Sequence, residues 1–178
     1  ITVGDPAGIG PEIAERAAAD PRVLQACDPI LYAPPNVNAF APGTLSADAG
    51  RAAYDCIVRA VADARDGIVG GIATAPVNKL AFARAGLPWK GHTDLLAHLC
   101  GVEKVRMLFY ARELTVVLAT VHVPLAEVPR RLTREVMLDT IAITAAAMPR
   151  FGVTAPRLAV AGLNPHAGEE GLLGPEEQ

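Results

Sequence analysis

Short β-branched runs alternate along this chain with segments of helical period, and that alternation leaves few folds open. Apolar runs at 1–3, 29–33, 71–75, 106–110, 114–121 and 157–163 read as strands. Between them, 12–19, 47–66, 77–85, 93–100 and the segment after Thr133 read as helices. The clearest is 47–66, where Ala53, Ile57, Ala60, Val61 and Ala64 repeat on one face. On another face Arg51, Asp55, Arg59 and Asp63 recur four apart, a solvated stripe of alternating sign. Punctuation supports the same division. Pro11 suits a first helical position, Thr93 and Thr133 suit N-caps, and Gly86 and Gly101 suit helix ends. Pro149 ends or kinks the last helix. The run 114–121 is apolar on both faces, as in a strand covered on both sides. Residues 34–43, with three prolines, two asparagines and no period, read as a loop or junction. The pattern as a whole predicts a layered α/β/α fold.

Composition narrows the function. Hydrophobic residues make up 51% and charged residues 20%, enough apolar surface for a packed core. A net charge of −3 and an aromatic content of 4% exclude a basic nucleic-acid surface and a base-stacking platform. No apolar run approaches the ~20 residues that cross a bilayer, so no membrane partner is expected. Cys27, Cys56 and Cys100 are odd in number and widely spaced. They read as small buried hydrophobes in a reducing compartment, which places the protein in the cytoplasm. The chain opens at Ile1 and closes at Gln178 in a Gly- and Glu-rich stretch, which reads as a piece of something longer.

Ligands in open α/β sheets collect outside the carboxyl ends of strands. Four polar clusters stand at such places, at 4–10, 74–79, 121–124 and 164–168. The first has the glycines of a phosphate cradle. It lacks the Lys-Ser/Thr of a P-loop and the spacing of a dinucleotide fingerprint, and a tight turn accounts for it equally well. His122 and His166 each follow a strand. If those strands are neighbours, both imidazoles point into one cleft as metal ligands do, with a third ligand from elsewhere. The competing reading is that each satisfies a loop carbonyl. His92 and Thr93, in Lys90-Gly91-His92-Thr93-Asp94, form a grip for an anion at a helix N-terminus. Against that stands a plain cap at Thr93 and a surface His92. His98, in mid-helix, reads as structural. Lys79 either reaches a substrate carboxylate or phosphate, or is a solvated lysine at a helix start.

Five segments carry a resemblance. They are Gly4-Asp5-Pro6-Ala7-Gly8-Ile9-Gly10-Pro11-Glu12, Thr74-Ala75-Pro76-Val77-Asn78-Lys79, Gly91-His92-Thr93, Thr120-Val121-His122-Val123-Pro124-Leu125 and Gly162-Leu163-Asn164-Pro165-His166-Ala167-Gly168. In this order, and over nearly the whole chain, they resemble the 4-hydroxythreonine-4-phosphate dehydrogenase family of vitamin B6 biosynthesis. The resemblance implies a homodimeric, metal-dependent enzyme that uses NAD or NADP to oxidise a phosphorylated hydroxy amino acid. The implied fold is like isocitrate and isopropylmalate dehydrogenases: three-layer α/β/α, two lobes, and a central cleft completed by the partner subunit. His122 and His166 match two of the family's three metal-ligand histidines, and His92 and Thr93 match its substrate-binding pair. The implied ion is zinc, magnesium, manganese or cobalt. No general base and no dinucleotide-binding residue is assigned. Members of that family are longer. The resemblance therefore places the third histidine and several basic substrate-binding residues beyond Gln178, and a missing segment near 33–43. Three other readings stay open: a paralogue oxidising threonate or erythronate 4-phosphate, a phosphate acyltransferase without a histidine-bound metal, and a non-catalytic fragment.

Overall fold

Thr2 is wedged between two later segments, forming parallel bridges to Tyr32 on one side and Thr74 on the other. The Thr2 N–H donates to the Ala73 carbonyl at 2.9 Å, and the Val3 N–H donates to the Tyr32 carbonyl at 3.1 Å. In return the Tyr32 and Ala75 N–H groups donate to Ile1 and Thr2 at 2.8 and 2.9 Å. The first three predicted strands therefore pair in parallel, with the N-terminal one central. Pairing stays at single bridges because the runs end at once. Gly4 turns away at φ 67°, and Pro76 has no N–H to donate. The turn at Gly4 is backed by main chain, since a Cβ there would stand 2.2 Å from the Pro76 oxygen.

The computed structural model describes residues 1–178, which divide into two units, Ile1–Glu103 and Lys104–Gln178. Both helices and strands are present, so the chain is α/β. No helix is long and apolar enough to cross a membrane.

In the first unit, α1 (Gly10–Ala18) opens with Pro11 in its first turn, and α2 (Pro21–Ala26) follows under an Asp20 cap. The long helix α3 (Ala47–Arg65) starts where the Ser46 hydroxyl accepts the Ala49 N–H. Ala53, Ile57, Ala60 and Val61 of the predicted face are buried and Cys56 joins them, while Ala64 near the helix end is only half-buried. That face packs on α4 (Lys79–Arg84) and α5 (His92–Cys100), closing a core with Phe82, Leu87 and Leu95. The stripe opposite is not simply solvated. The Asp63 carboxylate accepts the Tyr32 hydroxyl at 2.7 Å, and Arg59 donates to the Ala33 carbonyl at 2.7 Å, tying α3 to the bridged segment.

Helix α5 begins one residue earlier than predicted, and Thr93 does not cap it. Gly91 holds the cap position, and the Asp94 carboxylate reaches back to accept the Lys90 and Gly91 N–H groups. Gly101 closes the helix in the left-handed conformation, as its placement implies. Only Cys56 is the buried hydrophobe expected of the cysteines; Cys27 and Cys100 are exposed, and all three are free.

In the second unit, β1 (Met107–Tyr110) and β2 (Thr115–Leu118) form an antiparallel pair, with Met107 opposite Leu118 and Tyr110 opposite Thr115. The turn at 111–114 closes with the Ala111 N–H on the Leu114 carbonyl. After a one-turn helix α6 (Val128–Arg131), Thr133 caps α7 (Arg134–Ala147) through the Val136 N–H, and Pro149 marks its end. The α7 helix packs on β2. Arg106 donates to the Thr140 hydroxyl at 2.7 Å, and Lys104 pairs with Asp139 at 2.7 Å.

Two strand expectations fail here for one physical reason. Strand β2 covers four residues rather than 114–121 and leaves Thr115 and Val116 exposed, because only one of its edges has a partner. The run 157–163 forms no strand at all, and Leu158, Val160 and Leu163 stand 41%, 59% and 42% exposed. An extended run becomes a strand only when a neighbour supplies the ladder, and none does in this unit.

Candidate functional site

Three backbone donors of the loop 4–10 are already engaged, two of them on Asp5 within the loop. The Asp5 N–H donates to the Pro76 carbonyl at 2.9 Å, the Ala7 N–H to Asp5 Oδ1 at 2.9 Å, and the Gly8 N–H to the Asp5 carbonyl at 3.0 Å. A Cβ on Gly10 would stand 1.9 Å from the Val3 oxygen. The glycines thus serve close backbone approach. With a carboxylate folded into the loop, the tight-turn reading prevails over the phosphate cradle. A hollow of about 400 Å³ lined by Ala7, Phe40, Thr44, Ser46 and Asp48 lies beside this loop and includes none of the candidate residues.

A different arrangement forms where the bridged segment 72–75 runs on into α4. The Asn78 side chain accepts the Leu80 and Ala81 N–H groups at 3.0 and 3.1 Å, which sets Lys79 at the first position of α4. Lys79 is exposed, and its Cε lies 3.9 Å from where a Cβ on Gly91 would stand. Immediately beyond that glycine comes His92. Its Nε2 is sealed from solvent and has no hydrogen-bond partner. A buried polar atom without a partner costs on the order of 1–3 kcal/mol, so it is where a ligand's polar atom gains most. Thr93 is exposed beside it at the start of α5. Because the cap position is a glycine, no capping side chain takes the first-turn N–H groups. His98 lies against the Trp89 ring, tilted by 41° with centroids 5.1 Å apart, in keeping with the structural role read for it.

Burial pushes the His92 imidazole below its ordinary value of 6.5, and the Asp94 carboxylate opposes this less strongly. The unfolded chain therefore binds that proton more readily than the folded one. Stability fully present above pH 6.5 falls as the pH drops through it. Replacing His92 with asparagine is expected to flatten the acid-side decline in Tm. An unchanged decline would show that the imidazole is not held neutral.

His122 and His166 lie in the second unit. Both are exposed, neither makes a hydrogen bond, and both hold positive φ, at 55° and 54°. That backbone costs a residue with a Cβ roughly 1–2 kcal/mol. His122 stands four residues past the end of β2, and no strand precedes His166, which opens a run of six positive-φ residues, His166 to Gly171. No three His, Cys, Asp or Glu side chains gather anywhere to hold a metal ion. A catalytic zinc-type centre takes three protein ligands, so these two imidazoles do not by themselves fit one. Histidine tolerates the left-handed region better than most residues, yet nothing in the flanking sequence marks these two for it.

Residues 11–178 match the family described as pyridoxal phosphate biosynthetic protein PdxA. The chain is 37% identical to a 4-hydroxythreonine-4-phosphate dehydrogenase of Desulfosudis oleivorans, covering 99% of this chain and 64% of the relative. It is 36% identical to a putative D-threonate 4-phosphate dehydrogenase of Symbiobacterium thermophilum, covering 99% of this chain and 65% of the relative. The solved 4-hydroxythreonine-4-phosphate dehydrogenase of Klebsiella pneumoniae superposes with a TM-score of 0.87 at 35% identity, over 99% of this chain and 65% of that one. The chain thus spans just under two thirds of the length of these relatives, and it belongs to the PdxA family.

Proposed function

We propose that this chain supplies the substrate-holding part of an NAD- or NADP-linked 4-hydroxythreonine-4-phosphate dehydrogenase. The reaction would oxidise 4-phosphooxy-L-threonine to 2-amino-3-oxo-4-phosphooxybutanoate, which decarboxylates to 3-amino-2-oxopropyl phosphate. The observation that carries this reading is the sealed, unpartnered Nε2 of His92 beside the exposed Thr93 at the start of α5, whose first-turn N–H groups no capping side chain takes. A neutral imidazole offers Nε2 as donor in one tautomer and acceptor in the other, so it pairs with a substrate oxygen in either case. The Thr93 hydroxyl and the positive end of α5 favour the phosphate. His122 and His166 are two donors toward a divalent ion, zinc, magnesium, manganese or cobalt, whose remaining ligands this chain does not gather.

The larger frame of this reading rests on the family. It is a three-layer α/β/α enzyme like isocitrate dehydrogenase, with two lobes and a cleft, acting as a cytoplasmic homodimer. The alignment with the Desulfosudis relative runs over 217 residues, longer than the chain itself. That supports a missing internal segment, which the sequence places near 33–43. The relatives' names favour a dehydrogenase over an acyltransferase.

A second substrate has a specific observation behind it, the D-threonate 4-phosphate relative at nearly equal identity. The test is to incubate the purified chain with NAD or NADP, divalent ions, and in turn 4-phosphooxy-L-threonine, threonate 4-phosphate and erythronate 4-phosphate. Saturable binding is expected with the first. The variant His92→Ala is expected to weaken that binding about tenfold, the loss of one good hydrogen bond to a charged group. Preference for threonate 4-phosphate would transfer the assignment to the paralogue. Neither binding nor oxidation of any of the three would overturn the reading.

A further inference from the structure

We propose that Lys79 is a further binding residue of this site, the cation that holds the substrate's phosphate against His92 and Thr93. The inference rests on the reading of His92 and Thr93 just given. A phosphate monoester carries close to two negative charges at neutral pH. Within this chain His92, Thr93 and the start of α5 offer it a neutral imidazole, a hydroxyl and a partial charge, so a cation from the same unit adds the full charge they lack.

Three features of the fold aim Lys79 at this task. Its backbone is held by the Asn78 cap, which fixes where the side chain leaves α4. Its stem passes Gly91, with Cε 3.9 Å from the position a Cβ would take, which brings the lysine side chain alongside the turn that presents His92. And its charge is unspent: the ion pairs of the chain join Arg16 to Glu12, Arg22 to Asp20, Lys104 to Asp139 and Arg130 to Glu127, and none involves Lys79. The acid nearest this turn, Asp94, has both carboxylate oxygens engaged by the Lys90 and Gly91 N–H groups. Lysine suits a monodentate contact here, since its ammonium is a compact point charge on a flexible stem. Lys90 also flanks the turn, on an exposed side chain that makes no ion pair either, and so serves as the control for charge acting from a distance.

The experiment is calorimetric binding to the purified chain of two ligands, 4-phosphooxy-L-threonine and unphosphorylated 4-hydroxy-L-threonine. The proteins compared are the unaltered chain, Lys79→Ala, Lys79→Arg, Lys90→Ala and His92→Ala, each checked by thermal melting. Lys79→Ala is expected to weaken the phosphorylated ligand about tenfold or more. Lys79→Arg should recover part of that loss, Lys90→Ala should cost less, and binding of the unphosphorylated ligand should not respond to Lys79→Ala. If Lys79→Ala binds the phosphorylated ligand normally while His92→Ala does not, the lysine assignment falls and the His92 site stands. Equal losses for both ligands, or equal losses from Lys79→Ala and Lys90→Ala, also overturn a specific phosphate contact. If the unaltered chain binds neither ligand, the reading of the site fails and takes this inference with it.

Discussion

Replacing Phe82 with alanine is expected to lower the unfolding free energy of the first unit by roughly 3–5 kcal/mol, the usual range for emptying a buried aromatic site. Phe82 is completely buried, enclosed by Ala53, Ile57 and Val61 of α3 together with Leu87 and Leu95. Helix α4 around it has only six residues, too few to persist without tertiary contacts. Phe82 is therefore what holds α4 on α3, and through it the position of Lys79 and the turn before His92. Whole domains are stable by about 5–15 kcal/mol, so this one substitution consumes a large share of the margin. Trp89 gives a local readout. It is the single tryptophan, stacked on Tyr54 with ring centroids 5.3 Å apart, and its fluorescence reports unfolding of the first unit in denaturant. A loss under about 1 kcal/mol would mean that the neighbours collapse into the space and that α4 is anchored elsewhere.

The second large effect has a sign opposite to the one helix propensity implies. Gly50 lies inside α3, where alanine is ordinarily better than glycine by up to about 1 kcal/mol. Yet a Cβ at Gly50 would stand 2.2 Å from the Ala81 oxygen, 2.5 Å from the Ala81 carbonyl carbon and 3.0 Å from the Phe82 nitrogen. All three are main-chain atoms of α4, so no side chain can rotate away and the two helices must separate. Gly50→Ala is expected to destabilise by about 1–3 kcal/mol net, as overpacking does. Gly70→Ala is the control: its Cβ would meet nothing within 4 Å, and it should be neutral or slightly stabilising. A stabilised Gly50→Ala variant in thermal melting would show that the α3–α4 approach is looser than the structure has it.

Both effects concern a part of the fold that was half legible beforehand. The buried face of α3 follows from its period alone, because a helix sorts its residues by angle without reference to any neighbour. Thr133, Pro149 and Gly101 mark helix ends for the same reason: capping and ring closure act within a turn. The cap of α5 falls at Gly91 rather than Thr93 because it is assembled backwards, from Asp94 to the preceding N–H groups. Helix α2 is too short to show a period, although Asp20-Pro21 carries a cap and a first-turn proline. The run 157–163 has the right residues for a strand and no partner to make it one.

The site shows the same division. His92, Thr93, His122 and His166 are visible as residue types in motifs, and Lys79 is visible as a cation with two equally good readings. What bears on those readings is the approach of its stem to Gly91, twelve positions along the chain. The glycines of 4–10 likewise allow both a cradle and a turn until the Asp5 carboxylate is seen inside the loop.

By itself, then, the sequence determined the helix faces, most of the helix ends, the family and the identity of the residues with chemistry to offer. Each of these depends on neighbours within a turn or on a motif's own order. Only the tertiary structure decided that Nε2 of His92 is sealed, that Lys79 passes the turn before it, and that Gly50 sits against main chain. Burial and proximity are sums over segments far apart in sequence, and no local pattern contains them.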